Sequence, residues 1–139
     1  MTIIESIKTY FENCDLINKT INVDYLPEEP LEYTIVPVPT KPIIQKYLDG
    51  SAKKQYNFLL CSREYFGDDI VQLSRNLAFY ENLAKWIEEN SYSGNLPTLP
   101  ENCEALRLTV TNSGYLFNEE NDNAQYQIEC NLVYFEMKG

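Results

Sequence analysis

One long helical pattern constrains the fold of this chain more than any other stretch. It runs from Asp68 to Asn90, and its apolar residues recur every three or four positions, which is the period of an amphipathic helix. The repeating positions are Ile70, Leu73, Leu77, Tyr80, Ala84 and Ile87. At ~1.5 Å per residue such a helix is about 33 Å long. Strand-like segments flank it on both sides, so we expect them to form one sheet beneath it.

Three further apolar residues of this helix lie off that main line, namely Phe79, Leu83 and Trp86. They make the apolar stripe wider than contact with a single sheet requires. Either a second helix over residues 3–13 packs against them, or a neighbouring subunit does. We favour the first helix.

Residues 1–38 are predicted to form one helix and one short strand. Thr2 and Glu5 form a capping box, which predicts a helix start. The apolar face of that helix consists of Ile3, Ile7, Tyr10, Phe11 and Cys14. Residues 18–30 are predicted to be a polar connection. The stretch Glu32–Val38 predicts a strand that is short or lies at a sheet edge, because Pro37 and Pro39 cannot donate to a ladder.

The remaining strands are predicted as two pairs. Pro42–Leu48 and Lys53–Arg63 bracket Asp49-Gly50, which is typical of a two-residue hairpin turn. After the long helix, Glu104–Thr111 and Ala124–Glu136 alternate apolar and polar residues, with a loop of 12 residues between them. The predicted fold is α+β: a mainly antiparallel sheet of about five strands with two helices, in the order α-β-β-β-α-β-β. One domain should cover residues 1–139.

Composition argues against several functions. The 139 residues include 21 acidic and 11 basic residues and no histidine, for a net charge of −10. That excess disfavours specific binding of nucleic acid and docking on an anionic membrane. Without histidine, a Ser-His or Cys-His catalytic pair is impossible. The four cysteines are widely spaced, and the glycines occur singly. We therefore expect free thiols, no metal or other cofactor, no enzyme activity and a soluble, cytosolic protein.

Two charged clusters remain as candidate contact sites. Glu119, Glu120 and Asp122 lack the residue order of a calcium-binding loop, so a solvated turn is favoured over a weakly held cation at an oligomer interface. Lys53 and Lys54 form the only adjacent basic pair. They either protect a strand end from aggregation or contact an acidic neighbouring subunit.

Several stretches of the chain resemble a known phage family. They are EYTIVPVPTKPIIQKYLDGS, then WIEEN followed by GNLP, and finally SGYLF and YQIECNLVYFE. These stretches resemble the minor capsid proteins of tailed phages and prophages of low-GC Gram-positive bacteria, a family that is similar to tail terminator (tail completion) proteins. The resemblance extends from Ile3 to Glu136 and rests on the texture and order of segments, since none of them carries a chemical motif.

The resemblance implies a structural role. Tail terminators are small α/β proteins that form six-fold rings at the end of the tail tube, where they stop its growth and provide the surface for head attachment. The implied partners are copies of the same chain, a tail-tube protein and a head–tail connector protein, and the implied location is the virion, with the host cytoplasm during assembly. Two alternatives stay open: a head-completion connector or other minor capsid component, and a cytosolic module that binds a small ligand.

A ring needs an interface, and the sequence predicts one. Head-to-tail packing would place the Lys53 and Lys54 hairpin tip of one subunit against an acidic loop of the next. The acidic residues of that loop are Glu119, Glu120 and Asp122, and the aromatic residues Tyr115 and Phe117 precede them. An acidic ring lumen would also repel the phosphates of DNA passing through it.

Overall fold

The two helices in the described part of the chain pack against the same face of one sheet. The computed structural model describes residues 2–17, 21–23, 33–65, 70–118 and 123–138. Within these residues the helices are α1 (Ile3–Glu12) and α2 (Ile70–Tyr92). The strands are β1 (Ile21–Val23), β2 (Tyr33–Val38), β3 (Ile43–Lys46), β4 (Ala52–Tyr65), β5 (Cys103–Asn118) and β6 (Asn123–Glu136). The sheet order is β1-β2-β4-β6-β5, with β3 paired to β4 on the side where β2 also pairs.

The predicted α+β class and element order are confirmed, and one short strand is added. β1 lies in the stretch that the sequence assigns to a polar connection, and it pairs in parallel with β2. Ile21, opposite Tyr33, is almost completely buried. Three residues contain too little alternation to produce a periodic signal, so this strand was missed. Pro37 is tolerated in β2 because it lies beyond Ile35, the last residue of β2 that pairs with β1. On that side of Pro37 no described strand requires a backbone N–H donor.

The predicted loop of 12 residues between the last two strands is wrong. β5 continues to Asn118, and its second half pairs with β6 as far as Asn118 opposite Asn123. The continuation begins with Asn112, Ser113 and Gly114 and then has the unbroken run Tyr115–Phe117, so it lacks the alternation of apolar and polar residues from which a strand could be predicted. Its hydrogen bonds to the long strand β6 stabilise it instead.

The core lies between the sheet and the two helices, and α2 contributes Tyr80, Leu83 and Ile87 to it. Leu83, which widens the apolar stripe of the helix, is as deeply buried as Tyr80 and Ile87 of the main line. The buried sheet residues beneath the helices include Ile35, Phe58, Leu60, Leu108, Ile128, Cys130 and Leu132.

The first helix packs against Trp86 on the widened part of the apolar stripe of α2, as expected. The Trp86 ring lies 5.3 Å from the ring of Tyr10 and 6.1 Å from that of Phe11. Phe79 packs instead against Tyr33 of β2, with 6.0 Å between the rings. The start of α1 is capped as predicted, since the Thr2 hydroxyl accepts the backbone N–H of Glu5 at 3.2 Å.

The other face of the sheet carries a ladder of amide side chains. The Asn131 amide nitrogen donates to the side-chain oxygens of Gln55, at 3.1 Å, and Asn57, at 2.6 Å. Asn57 and Asn131 are paired across β4 and β6, next to the buried pair Phe58 and Cys130 on the helical face. Neither described helix packs on this amide face.

Candidate functional site

The most exposed part of the described chain is the hairpin that projects from β4, and we call residues 41–54 the arm. Every residue from 41 to 50 is exposed to solvent. Four of them are large and apolar, namely Ile43, Ile44, Tyr47 and Leu48. Clustered apolar side chains on a surface usually mark an interaction site. The sequence did not predict this cluster, because the pattern of a four-residue strand does not show which of its apolar residues are exposed.

The arm is also strongly basic. It contains Lys41, Lys46, Lys53 and Lys54 against the single acid Asp49, a net charge of +3 in a chain whose total is −10. A projection that is both apolar and opposite in charge to the rest of its chain is suited to contact an acidic protein surface.

The arm is held in a defined shape by its turn. The turn contains three residues, Leu48 to Gly50, rather than the predicted two, and the Tyr47 N–H donates to the Ser51 carbonyl at 2.9 Å to close it. Gly50 has a φ of 92°, which favours glycine. The Asp49 carboxylate accepts the Ser51 hydroxyl at 2.5 Å and the Ser51 N–H at 2.9 Å, and these bonds lower the pKa of Asp49.

The two adjacent lysines of the arm have different surroundings. The Lys54 ammonium forms an ion pair with Glu136 at 2.8 Å, and this hydrogen bond raises the pKa of Lys54. Lys53 is paired across the sheet with Phe135. Because consecutive strand residues point to opposite faces, the two lysines cannot form a single patch. Lys54 is already engaged within its own chain.

Two of the other predicted interface residues lie at the far end of the sheet. Tyr115 and Phe117 are in β5, opposite Tyr126 and Ala124 of β6, instead of in a loop. Glu119, Glu120 and Asp122 are outside the described residues.

The arm and the end of β5 at Asn118 are separated by almost the whole length of β4. Lys53 pairs with Phe135, whereas Tyr65 at the other end of the strand pairs with Asn123. At ~3.3 Å per residue the separation is about 40 Å. A contact between them would therefore join two copies end to end along the strands.

A cavity of about 390 Å³ lies between α1 and the end of α2. Its lining combines the Trp86 ring with hydroxyl and amide groups, and the Tyr10 hydroxyl donates to the Asn95 carbonyl at 3.0 Å. Burial raises the pKa of Tyr10 to about 12. The lining residues are uncharged: Ser6, Thr9, Tyr10, Asn13, Trp86, Asn95, Leu96 and Thr98.

The four cysteines are free thiols in the structure. Cys14, Cys61 and Cys130 are buried, and Cys103 is partly exposed. Burial raises the pKa of all four thiols, that of Cys61 to about 11. Within the described residues, no group of three or more cysteine, aspartate or glutamate side chains is placed to hold a metal ion.

These surroundings predict slow thiol chemistry. At neutral pH the folded protein should show one reactive thiol towards a disulfide reagent, Cys103, and all four should react once the chain is unfolded. The Cys103 reaction should become faster as the pH rises towards its raised pKa. Cys103→Ser should abolish the native reaction, and rapid reaction of this variant would contradict the burial of the other three.

Comparison with known proteins adds no family. A scan against protein-family models finds no match to this chain, and a search of curated proteins finds none either. Neither helix in the described part of the chain is long and apolar enough to cross a membrane.

Proposed function

We propose that this chain is a phage structural protein, a tail terminator or head–tail joining subunit that caps the tail tube as a ring and provides the head attachment surface. The observation that carries the proposal is the exposed arm, which is apolar, basic and closed by a hydrogen-bonded turn on an otherwise acidic α+β subunit. Such a projection suits a subunit that functions by assembly. The resemblance of the sequence to phage minor capsid and tail terminator proteins supports the head–tail junction as the assembly to which the chain belongs.

The chemistry of the chain agrees with a structural role without catalysis. Among the residues whose burial is described, no acidic or basic side chain is buried, and these charges occur singly or in simple pairs, such as Lys54 with Glu136. A ring built of subunits with a net charge of −10 would let DNA pass without gripping it, because phosphate is repelled. Its partners would be further copies of the chain, a tail-tube protein and a connector protein.

Deleting the gene from a phage that carries it tests this function. A terminator stops tube growth, so electron micrographs of the deletion should show overlong tails or tails without heads. Normal tails beside defective heads would assign the chain to the connector instead. Gene order gives an independent check, since a terminator gene should lie between the connector genes and the tube gene.

The cavity between the two helices favours a second candidate, a module that binds a small molecule. Its volume of about 390 Å³ lies within the range of small-ligand pockets, roughly 300–1,000 Å³. An uncharged lining with one indole ring suits a neutral, polar molecule with an apolar face. A screen of neutral metabolites by thermal shift, with Trp86→Ala as the control, would detect such binding. No shift with any compound would favour the structural role.

Charge reversal tests the predicted basic contact. Lys53→Glu combined with Lys54→Glu should weaken ring assembly about tenfold, because the arm would then repel acidic neighbours. Glu136→Gln is the matched control, because it also breaks the Lys54 ion pair but leaves the lysines positive. Assembly can be followed by sedimentation velocity. Unchanged assembly of the doubly reversed variant would rule out these lysines as contacts.

A further inference from the structure

A second exposed apolar surface lies at the edge of the sheet formed by β5. There, a groove of about 350 Å³ separates the end of α2 from β5. Tyr92 is almost fully exposed at its border, and Leu106 is 45% exposed. Leu106 lies where the pairing of β5 with β6 shifts register, so its side chain has left the buried face. The groove is lined by Glu88, Ser91, Tyr92, Leu106, Arg107 and Leu108, with Thr109 beside them.

The arm and the part of the chain around the groove carry opposite charge. The stretch Leu77–Asn112, which contains both sides of the groove, has five glutamates against one lysine and one arginine, a net charge of −3. In the lining itself the charges of Glu88 and Arg107 cancel. The arm has a net charge of +3, so the acidic surroundings of the groove attract it, and the exposed apolar side chains of both surfaces would form the contact.

The two surfaces lie on opposite edges of the sheet, near the same end. β3 of the arm pairs with the start of β4, while β6 separates β4 from β5. Ala52 and Cys103 are both paired with Glu136, so the arm and the start of β5 are level along the strands. Three strand spacings of ~4.8 Å place β3 and β5 about 14 Å apart, facing outwards in opposite directions. One arm therefore cannot fill its own groove.

We propose that the arm of one copy docks into the groove between α2 and β5 of the next copy, side by side. The contact is heterologous, because it joins two different surfaces, and a repeated heterologous contact closes into a ring when its rotation allows. This inference deepens the proposed function and rests on it, since it names the surfaces through which the ring forms. Ile44, Tyr47 and Leu48 of the arm would cover Tyr92 and Leu106 of the neighbour.

The docking uses side chains and does not extend the sheet. Strand addition would need free backbone groups along the outer edge of β5. The Leu108 N–H on that edge already donates to the Ser91 hydroxyl at 3.0 Å. The register shifts between Ala105 and Arg107 and between Val110 and Asn112 interrupt the edge on either side. Both features protect an edge strand from pairing, which leaves the groove itself as the contact.

A mixing experiment tests the head-to-tail arrangement. The arm variant is Ile44→Ser with Leu48→Ser, and the groove variant is Tyr92→Ser with Leu106→Ser; all four side chains are exposed, so folding should be unaffected. Neither variant should assemble alone at the highest attainable concentration. A mixture should form a one-to-one dimer by sedimentation velocity, through the intact groove of the first and the intact arm of the second.

Leu16→Ser is the matched control, because Leu16 is an exposed leucine beyond the end of α1 and belongs to neither surface. It should assemble as the unmodified chain does. A charge exchange provides a second measurement: Lys46→Glu and Glu88→Lys should each weaken association about tenfold, and the two changes in one chain should restore it.

Each other outcome overturns the arm-to-groove contact. An unmodified chain that stays monomeric throughout, a mixture without dimers, or variants that assemble normally would do so. Arm variants that self-associate normally but no longer bind purified tail-tube protein would assign the arm to that protein. The gene deletion tests the proposed function separately. Overlong tails, together with arm variants that assemble normally, would contradict only the arm-to-groove contact. Normal tails, together with mixed dimers, would contradict only the tail function.

Discussion

Phe58→Ala should lower the free energy of unfolding by about 3–5 kcal/mol, because it empties the centre of the core. Phe58 is completely buried in β4, and its ring lies 6.0 Å from that of Phe11 of α1. The substitution therefore removes the contact between the first helix and the central strand as well as creating a cavity. A domain of this size has a total stability of roughly 5–15 kcal/mol, so the loss is a large fraction of it.

Urea unfolding followed by tryptophan fluorescence measures this effect, because Trp86 lies against Phe11 in the same part of the core. Leu48→Ala is the control, since Leu48 is fully exposed on the arm and should change the stability by less than about 0.5 kcal/mol. A Phe58→Ala protein as stable as this control would mean that α1 does not pack on β4.

Leu83→Ala should lower the free energy of unfolding by about 2–5 kcal/mol. Leu83 is completely buried, whereas Leu77 on the same helix is only partly buried. Leu77→Ala should therefore cost less than Leu83→Ala. The comparison uses one residue type in one helix, so helix propensity cancels and the difference reports burial.

Asn82→Ala is the matched control for Leu83→Ala, because Asn82 is the exposed neighbour of Leu83. It should leave the stability within about 0.5 kcal/mol. If Leu77→Ala proved the more destabilising of the two leucine changes, the helix would be turned about its axis relative to the structure.

The sequence predicted the elements whose pattern is long enough to repeat. The helix period identified α2 to within two residues at either end, and the capping box at Thr2 located the start of α1. The same period predicted Tyr80 and Ile87 on the inward face, and both are buried. It left open what packs against Trp86, which is α1, because a contact with a distant element leaves no trace in local periodicity.

The candidate site was predicted less well, for a physical reason. An interface consists of apolar residues that are exposed on the isolated subunit. Sequence patterns show which residues are apolar, but they do not show which of them are buried. Lys53 and Lys54 of the arm are recognisable in the sequence as an adjacent pair. The ion pair of Lys54 with Glu136 could not be predicted, because it depends on β4 and β6 being neighbours. The exposure of Ile44 and Leu48 likewise depends on the absence of a described strand beyond β3.

The amide ladder on the face of the sheet opposite the described helices has a consequence for symmetry. An apolar open face would let two copies stack sheet on sheet into a closed two-fold pair. Stacking over Gln55, Asn57 and Asn131 would instead strip water from amides whose remaining hydrogen-bonding groups would find no new partners. That two-fold dimer is therefore disfavoured. Copies of the chain are left to associate side by side, each contact repeating the same rotation in the same direction.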